Sequence, residues 1–306
     1  WSPFLSPIAT CKAVINSADS LMKYSSNYQS YILNFFGEFD KFIINKEKKK
    51  FRFINHYPSL VSFLPYKGKL KSRLSFLIIF ILGFFPLKKI LKENKPDILI
   101  IHLITSLPLF LLLFFKFETK FILRISGFPK LNKLRKNFWK IISNKLYCVT
   151  SPSEELKKNL IKLNIFQKRK IFFLPDAIIN IADFIKKKNV KFTEFEKLKN
   201  KQIIFAAGRL TKQKNFSYLI DEFESFSKIN RKFTLIILGD GEDKTLLKEK
   251  IDSKGLRDKV ILEGQVANVF KYFKYGELFI LSSLWEEVGF VIVEAAMSNL
   301  FVNHCN

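Results

Sequence analysis

The sequence is poor in the residues that build disulfide or metal scaffolds. It contains three histidines and three cysteines, Cys11, Cys148 and Cys305, which lie far apart and form no CxxC pair. Neither a disulfide framework nor a cysteine zinc site is therefore predicted, and the cysteine usage fits a reducing compartment. With only three histidines, the sequence also does not favour a metal site built from several histidines.

Acidic residues are scarce relative to basic ones. There are 27 Asp and Glu residues against 52 Lys and Arg residues, which gives a formal net charge of +25. Such a charge favours anionic partners such as nucleic acid, anionic lipid or phosphorylated substrates. The alternative is that coding bias enriches lysine and that these lysines are solvated on helix faces, which gives the same excess of basic residues. Both interpretations stay open.

A secretory leader is not visible at the start of the sequence. No initiator methionine is present, and Trp1 is not preceded by a charged segment and an apolar segment. The start therefore predicts a truncation within an element rather than a signal peptide.

Two apolar runs raise the question of a membrane span. Residues 74–87 are uncharged but too short to cross a bilayer, which needs roughly 20 residues. Residues 98–115 contain no Asp, Glu, Lys or Arg, so a span is possible by length. The preferred interpretation is a buried strand followed by a buried helix, because a Pro-Asp turn precedes the run and Thr105, Ser106 and Pro108 interrupt it.

Short apolar blocks alternate with helical stretches along the first half. These blocks predict strands at residues 31–36, 51–54, 98–102, 121–125 and 147–150. Such alternation indicates βαβ units and a parallel sheet. Residues 151–154, Ser-Pro-Ser-Glu, predict a helix start with Ser151 as the cap and Pro152 in the first position.

A polar, lysine-rich stretch separates this half from a second α/β series. The sequence therefore predicts a domain over residues 1–180, a linker over 181–200 and a domain over 201–306. In the second domain, strands are predicted at 203–206, 233–238, 260–262 and 278–281, with helices at 215–229, 244–253 and 291–298. The order is Rossmann-like and stops after four strands.

A basic turn follows the first strand of the second domain. Gly208 allows the backbone to turn, Arg209 offers a planar fork of donors, and Lys214 adds a charge where a helix starts. A strand, a turn and a helix start together form the usual phosphate-binding arrangement. A basic turn with no ligand is the alternative.

Two glutamates near the last predicted helix are separated by seven residues. Glu286 follows a strand and Glu294 lies near the helix start, so both can face the crevice at the carboxyl ends of the strands. Carboxylates accept hydrogen bonds from sugar and ribose hydroxyls. The alternative is a surface Glu286 and a Glu294 that only favours its helix terminus.

In this order and spacing, these elements resemble the donor-binding domain of the GT-B glycosyltransferases of family 4, also called glycosyl transferases group 1. The matching stretches are residues 208–215, 238–242, 260–264 and 281–296, the last with its E-x7-E pattern. Residues 1–16, 96–108 and 123–139 resemble the acceptor domain of bacterial members that build lipopolysaccharide or capsule. The resemblance implies an α/β fold of the GT-B type, with two Rossmann-like domains facing a cleft, truncated at both ends.

The resemblance also implies roles for residues at matching positions. Arg209 and Lys214 would hold the donor diphosphate, and Glu294 would hold the ribose. Glu286 would hold the transferred sugar and, with the two cations, form the catalytic set. The remaining donor-binding positions are Gly208, Gly264, Gln265, Gly289 and Phe290. Because protein cations neutralise the leaving group, the resemblance implies that no metal or other cofactor is needed.

Four residues of the first domain are candidates for the acceptor side. Arg124, Ser126 and Gly127 follow a predicted strand, and His102 lies at the end of another. Each could line the cleft. A satisfied structural histidine is the alternative for His102.

The sequence departs from the family pattern in three places. A first strand with its glycine-rich loop is expected before Trp1, and Glu287 stands where the family usually has glycine. After residues 297–299 the family continues into another strand, whereas residues 300–306 read as an altered end.

The prediction from sequence is a retaining glycosyltransferase. It moves a sugar from a nucleotide diphosphate sugar to a growing glycan, expected to be lipid-linked. The alternatives are a GT-B enzyme with a soluble acceptor, and a basic membrane-surface or nucleic-acid-binding protein without catalysis. No nucleic-acid module is recognisable, so nucleic acid is not an expected partner.

The expected location is the cytoplasm, with peripheral attachment to the inner face of the plasma membrane. Basic residues adjoin both ends of the apolar run 74–87, at Lys67, Lys69, Lys71, Arg73, Lys88 and Lys89. A basic, apolar helix can lie in an anionic bilayer interface. A buried helix with solvated ends is the alternative.

Overall fold

The chain divides into two α/β units. The computed structural model describes residues 1–5, 9–40, 51–65, 68–129, 131–192, 202–286 and 289–304. Lys67, Glu287 and Cys305 lie outside these residues. One unit comprises Trp1–Ile178 and the other Ile179–Asn306. Every strand pairing in both units is parallel, as the alternation of apolar blocks and helical stretches predicts.

The first unit contains six of the strands and five of the helices in the described part of the chain. Their order is α1 (Ala9–Tyr24), β1 (Tyr31–Asn34), β2 (Arg52–Asn55), α2 (Lys69–Lys89), β3 (Ile98–Ile101), α3 (Ser106–Phe114), β4 (Lys120–Arg124), α4 (Lys133–Ile142), β5 (Cys148–Ser151), α5 (Glu154–Lys162) and β6 (Ile171–Phe173). Strands β1 and β2 form one sheet, and β3-β4-β5-β6 form a second. The backbone of Trp1 bonds to β3, and its ring packs against Phe35 and Phe36.

The apolar run at residues 98–115 is part of the core. It forms strand β3 and helix α3, and five of the nine α3 residues are buried. The prediction of a strand followed by a helix is therefore confirmed, and a span over these residues is excluded. The helix over residues 70–94 is the one that is long and apolar enough to cross a membrane among the described residues.

The second unit is a doubly covered sheet. Its elements are α6 (Ile181–Lys188), β7 (Gln202–Ala207), α7 (Phe216–Ile229), β8 (Phe233–Leu238), α8 (Lys244–Ser253), β9 (Val260–Gly264), α9 (Phe270–Phe273), β10 (Leu278–Leu281), α10 (Phe290–Met297) and β11 (Phe301–His304), and the strand order is β11-β10-β7-β8-β9. Alternate residues of β7 pack on opposite faces. Ile204 and Ala206 contact the layer containing α7 and α8, while Ile203 and Phe205 contact the layer containing α9 and α10. This two-sided burial explains why the strands read as continuous apolar runs.

Two expectations for this unit need correction. The sheet does not stop after four strands, because β11 pairs with β10 along four residues. The stretch expected as a linker, 181–200, instead begins with helix α6, whose Phe184 ring lies 5.0 Å from Phe270. Residues 193–200 lie outside the described residues. Short lysine-rich helices bury few side chains, so their sequence resembles that of a linker.

Candidate functional site

The carboxyl ends of four strands meet at one edge of the sheet in the second unit. Strand β7 lies in the middle, with β8 and β9 on one side and β10 and β11 on the other. From β7 the chain adds β8 and β9 on one side of the sheet, and it then returns to the other side of β7 to form β10 and β11. At such a switch point the loops after β7 and β10 border a crevice. The predicted donor residues lie on these two loops, on helix α10 and at the end of β9.

The turn after β7 contains Gly208, Arg209 and Lys214. It passes through a short 3-10 helix, Lys212–Lys214, before α7 begins at Phe216. A Cβ atom on Gly208 would lie 2.7 Å from Cε of Lys214. Because Gly208 lacks this atom, the Lys214 stem can lie directly against the turn.

Hydrogen bonds join this turn to the loop after β10. The Ser282 hydroxyl donates to the Lys214 carbonyl at 2.8 Å, and the Leu284 amide donates to the Gln213 carbonyl at 2.9 Å. The Gln213 side chain in turn donates to the Trp285 carbonyl at 3.0 Å. The two loops are therefore held together as one structure.

These bonds bring Lys214 and Glu286 together. The Lys214 ammonium donates to Glu286 Oε1, and the two side chains are 14% and 20% exposed. The Ser283 hydroxyl donates to the same oxygen at 2.6 Å. Arg209 is exposed, and no hydrogen bond or ion pair involves it in the described part of the chain. The site thus has one cation paired with a carboxylate and one cation open to solvent.

The second glutamate lies on helix α10. Gly289 precedes this helix with φ of 57°, which glycine adopts without strain. Phe290 is its first residue and Glu294 its fifth, and Glu294 is buried at 8% exposure. Glu287, the departure from the family pattern, lies outside the described residues.

The ends of β8 and β9 complete this edge of the sheet. The Gly239 amide donates to the Gly264 carbonyl at 2.7 Å, and the Leu210 amide donates to the Asp240 carbonyl at 3.0 Å. Gly264 is half-buried and Gln265 is exposed. The sequence singles out Arg209, Lys214, Glu286 and Glu294, but it does not predict that Gln213 and Ser282 join the two loops or that Ser283 bonds Glu286. A Ser-Ser pair directly after a buried strand is the signal that could have indicated the last two.

In the first unit, the structure corrects the expectation for Arg124. Its guanidinium donates to Asp176 Oδ1 from Nε at 3.0 Å and from a terminal nitrogen at 2.5 Å, and it also bonds the Leu174 carbonyl. Both charged side chains are 4% exposed. Arg124 therefore holds the segment after β6 and does not present a free cation, because a buried charge must be paired.

His102 lines a cavity of about 880 Å³ within the first unit. Among the described residues its Nδ1 atom is buried without a hydrogen-bond partner. Burial, together with the smaller effects of the nearby charges of the Trp1 amino group and Arg124, lowers the pKa of the imidazole to about 3. The ring is therefore neutral at physiological pH, so it can donate a hydrogen bond to a ligand from one nitrogen or accept one at the other.

Most of the cavity lining is apolar. Its larger apolar side chains include Phe4, Phe76, Phe138 and Trp139, and Arg135 also lines it. Ser126 and Gly127 follow β4 and are not among the lining residues. Among the residues that the structure describes, no group of three or more His, Cys, Asp or Glu side chains could hold a metal.

Part of the chain matches a known protein family, and most of the chain is similar to one uncharacterized glycosyltransferase. Residues 187–302 match the family described as glycosyl transferases group 1. An uncharacterized glycosyltransferase of Methanocaldococcus jannaschii, MJ1059, is 28% identical over 299 residues, which cover 92% of this chain and 69% of that protein.

One relative has a more specific name. The N-acetylgalactosamine-N,N'-diacetylbacillosaminyl-diphospho-undecaprenol 4-alpha-N-acetylgalactosaminyltransferase of Campylobacter jejuni is 27% identical over 181 residues. The match covers 58% of this chain and about half, 48%, of that protein.

A solved structure shares the fold along nearly the whole chain. Anabaena HepE, solved in complex with UDP, superposes with a TM-score of 0.63 at 14% identity. The match covers 95% of this chain and 76% of that one.

Proposed function

We propose that this chain, whose residues 187–302 match the glycosyl transferases group 1 and whose fold is of the GT-B type, is an enzyme of that group and transfers a sugar from a nucleotide diphosphate sugar to a growing, lipid-linked glycan. The observation that carries the proposal is the pairing of Lys214 with Glu286 beside Arg209. Two cations suit a diphosphate, and a carboxylate suits sugar hydroxyls. The UDP complex of HepE supports a nucleotide donor.

Each charged residue has one proposed task. Arg209 and Lys214 bind the diphosphate and stabilise the negative charge that develops on it as the sugar leaves. Glu294 holds the ribose hydroxyls. Glu286, with the backbone of Gly289 and Phe290, orients the transferred sugar. Gly208 leaves room for Lys214, and backbone near Gly264 and Gln265 contacts the base.

Donor binding then involves an exchange of partners. The diphosphate takes Lys214 from Glu286, which frees the carboxylate for the sugar. Ser283 keeps its hydrogen bond to Glu286 and so holds the carboxylate in place. Because cations of the protein balance the leaving group, the proposed reaction uses no metal.

The cavity of the first unit supports the acceptor part of the proposal. Aromatic and aliphatic side chains dominate its lining, with the neutral His102 among them. Such a lining fits an acceptor that carries both hydroxyls and a hydrocarbon portion. The named substrate of the Campylobacter jejuni relative is a diphospho-undecaprenol derivative, which agrees in chemistry.

The test is a donor screen on this protein, read as release of nucleoside diphosphate. Each active donor is then supplied with a polyprenyl-diphosphate-linked sugar or with the matching free sugar. We expect turnover with the lipid-linked acceptor and a product whose anomeric configuration, read by NMR, is that of the donor.

Three outcomes would contradict parts of the proposal. Equal use of the free sugar would replace the lipid-linked acceptor with a soluble one. Inversion at the anomeric carbon would exclude the retaining mechanism. Tighter binding of oligonucleotides than of UDP and GDP, without turnover, would favour a basic binding protein.

A further inference from the structure

Helix α2 presents a continuous apolar stripe to solvent. The stripe consists of Leu70, Leu74, Leu77, Ile81 and Phe85, which recur every three or four residues on one face. Their exposed fractions are 80%, 53%, 54%, 58% and 75%. Single exposed apolar residues are ordinary, but an aligned row of five marks an interaction surface.

The opposite face of α2 is fixed to the first unit. Ile79 and Leu87 are fully buried in its core, and Ser75 donates to the Pro65 carbonyl at 2.6 Å. The helix is long and apolar enough to cross a membrane by length and composition. Because one face is packed against protein, a bilayer could contact only the stripe, and α2 would lie along the surface.

Positive charge surrounds the stripe. Lys71 and Arg73 flank its start, while Lys88 and Lys92 continue the same face seven and eleven residues after Ile81. The Lys88 ammonium lies 4.1 Å from the centre of the Phe115 ring, so its stem covers apolar surface. Glu93 is the one acidic residue between positions 69 and 94, and it pairs with Lys89 at 3.8 Å.

We propose that the α2 stripe binds the interface of an anionic bilayer. The apolar side chains enter the boundary between headgroups and acyl chains, and the basic residues at both ends contact anionic headgroups. The charge complementarity selects this occupant over a second copy of the chain, which would bring the same basic residues face to face.

Helix α2, which carries the stripe, also lines the cavity of the first unit. Phe76 and Ser72 of α2 line it together with His102. A bilayer on the stripe would therefore lie beside the proposed acceptor site, where a lipid-linked glycan is anchored. This step alone rests on the proposed function; binding to the membrane does not.

The experiment is sedimentation of the full chain with two kinds of vesicle, phosphatidylcholine alone and phosphatidylcholine mixed with phosphatidylglycerol. The test variant carries Leu77→Asp and Ile81→Asp. The control carries Ile229→Asp, a change at an 85% exposed residue of the second unit.

We expect the wild type and the control to bind the anionic vesicles at least about tenfold more strongly than the neutral ones, with binding that falls as salt is added. The test variant should lose this binding.

Binding of UDP or GDP, measured on all three proteins, separates this proposal from the preceding one. Unchanged nucleotide binding in the test variant together with lost sedimentation supports the membrane surface. Equal sedimentation of the wild type and the test variant would overturn it. Equal binding to both vesicles, or a lipid-free dimer that the test variant abolishes, would overturn it as well.

Discussion

Lys214 and Glu286 follow different strands and neutralise each other at the edge of the sheet. Their pairing depends on neighbours that the sequence pattern does not single out, since Gln213 and Ser282 make bonds that hold the loops together and Ser283 bonds the Glu286 carboxylate. Sequence reasoning could identify the charged residues because each lies at a strand-to-helix junction. It could not predict their mutual contact, which depends on how two loops distant in sequence pack.

The two cations of the proposed donor site, Arg209 and Lys214, should be needed for turnover. We expect Arg209→Ala and Lys214→Ala each to lower kcat/KM for the donor by roughly tenfold to more than a hundredfold, because a lost hydrogen bond to a charged group costs about 1.5–3 kcal/mol. The matched control is Lys228→Ala on helix α7, where the lysine is 70% exposed. Steady-state release of nucleoside diphosphate measures all three. Turnover within twofold of the wild type for both site variants would refute the assignment.

Metal removal should leave the reaction intact. In the proposed reaction, Arg209 and Lys214 supply the positive charge that a divalent ion gives at other leaving diphosphates. We therefore expect initial rates to be unchanged in excess EDTA. Complete loss of turnover, restored by magnesium or manganese, would show that these side chains do not suffice.

At the scale of elements, close backbone contact fixes the site. A Cβ atom on Gly239 would lie 1.8 Å from the Gly208 carbonyl oxygen, so the loops after β7 and β8 touch through their main chains. Only glycine permits this approach. The motif Gly239-Asp240-Gly241-Glu242 therefore holds two strand ends together in addition to forming a turn.

Gly239→Ala should destabilise the second unit more than an ordinary glycine replacement. We expect a loss of at least about 2 kcal/mol in the free energy of unfolding, because backbone must move. The control Gly255→Ala has no atom within 4 Å of the new Cβ but a φ of +65°, so a loss of about 1 kcal/mol is expected. Urea unfolding followed by circular dichroism compares them. Equal losses of unfolding free energy in the two variants would show that the close contact between Gly239 and Gly208 does not determine stability.

Most apolar strands could be predicted from the sequence, including the four-residue β10, but some short or polar elements could not. Strands β8 and β10 and helix α8 have the predicted bounds. Strand β6 is not among the predicted strands, because its three residues are too few for periodicity to distinguish a strand from another short apolar segment. Helix α5 begins two residues later than predicted, because Ser153 and not Ser151 accepts the capping bond, from the Leu156 amide at 3.2 Å. Two serines with equal capping chemistry cannot be distinguished without the tertiary contacts around them.

At the scale of the whole molecule, one buried carboxyl should couple stability to pH. Burial raises the pKa of Glu38 to about 7 from 4.5, with the charge of Asp40 acting in the same direction. The native state therefore binds a proton that the unfolded chain loses between these values. The contribution of Glu38 to the free energy of unfolding should therefore fall as pH rises through this window, by about 3 kcal/mol in total, and level off above it, while the lowered pKa values of His102 and of the Trp1 amino group act in the opposite direction.

Glu38→Gln removes this titration, so the free energy of unfolding of the wild type minus that of the variant should fall by about 3 kcal/mol across the window. Glu118→Gln, at a residue whose side chain is 73% exposed, is the control and should keep the wild-type slope. Denaturant unfolding at several pH values between 4.5 and 8 gives the measurement. An unchanged slope in Glu38→Gln would show that another group is responsible.

The Lys214–Glu286 pair also bears on how the spent donor leaves. A sugar nucleotide that separates the pair gives both charges new partners, whereas a nucleoside diphosphate satisfies Lys214 and leaves the carboxylate without one. Re-formation of the pair would then help to expel the product and limit its inhibition. We expect Glu286→Gln to lower the inhibition constant of the nucleoside diphosphate by about tenfold while sugar transfer falls, because the lysine no longer has a competing carboxylate. Glu249→Gln, on the exposed side of α8, should change neither quantity, and an unchanged inhibition constant in Glu286→Gln would contradict this role.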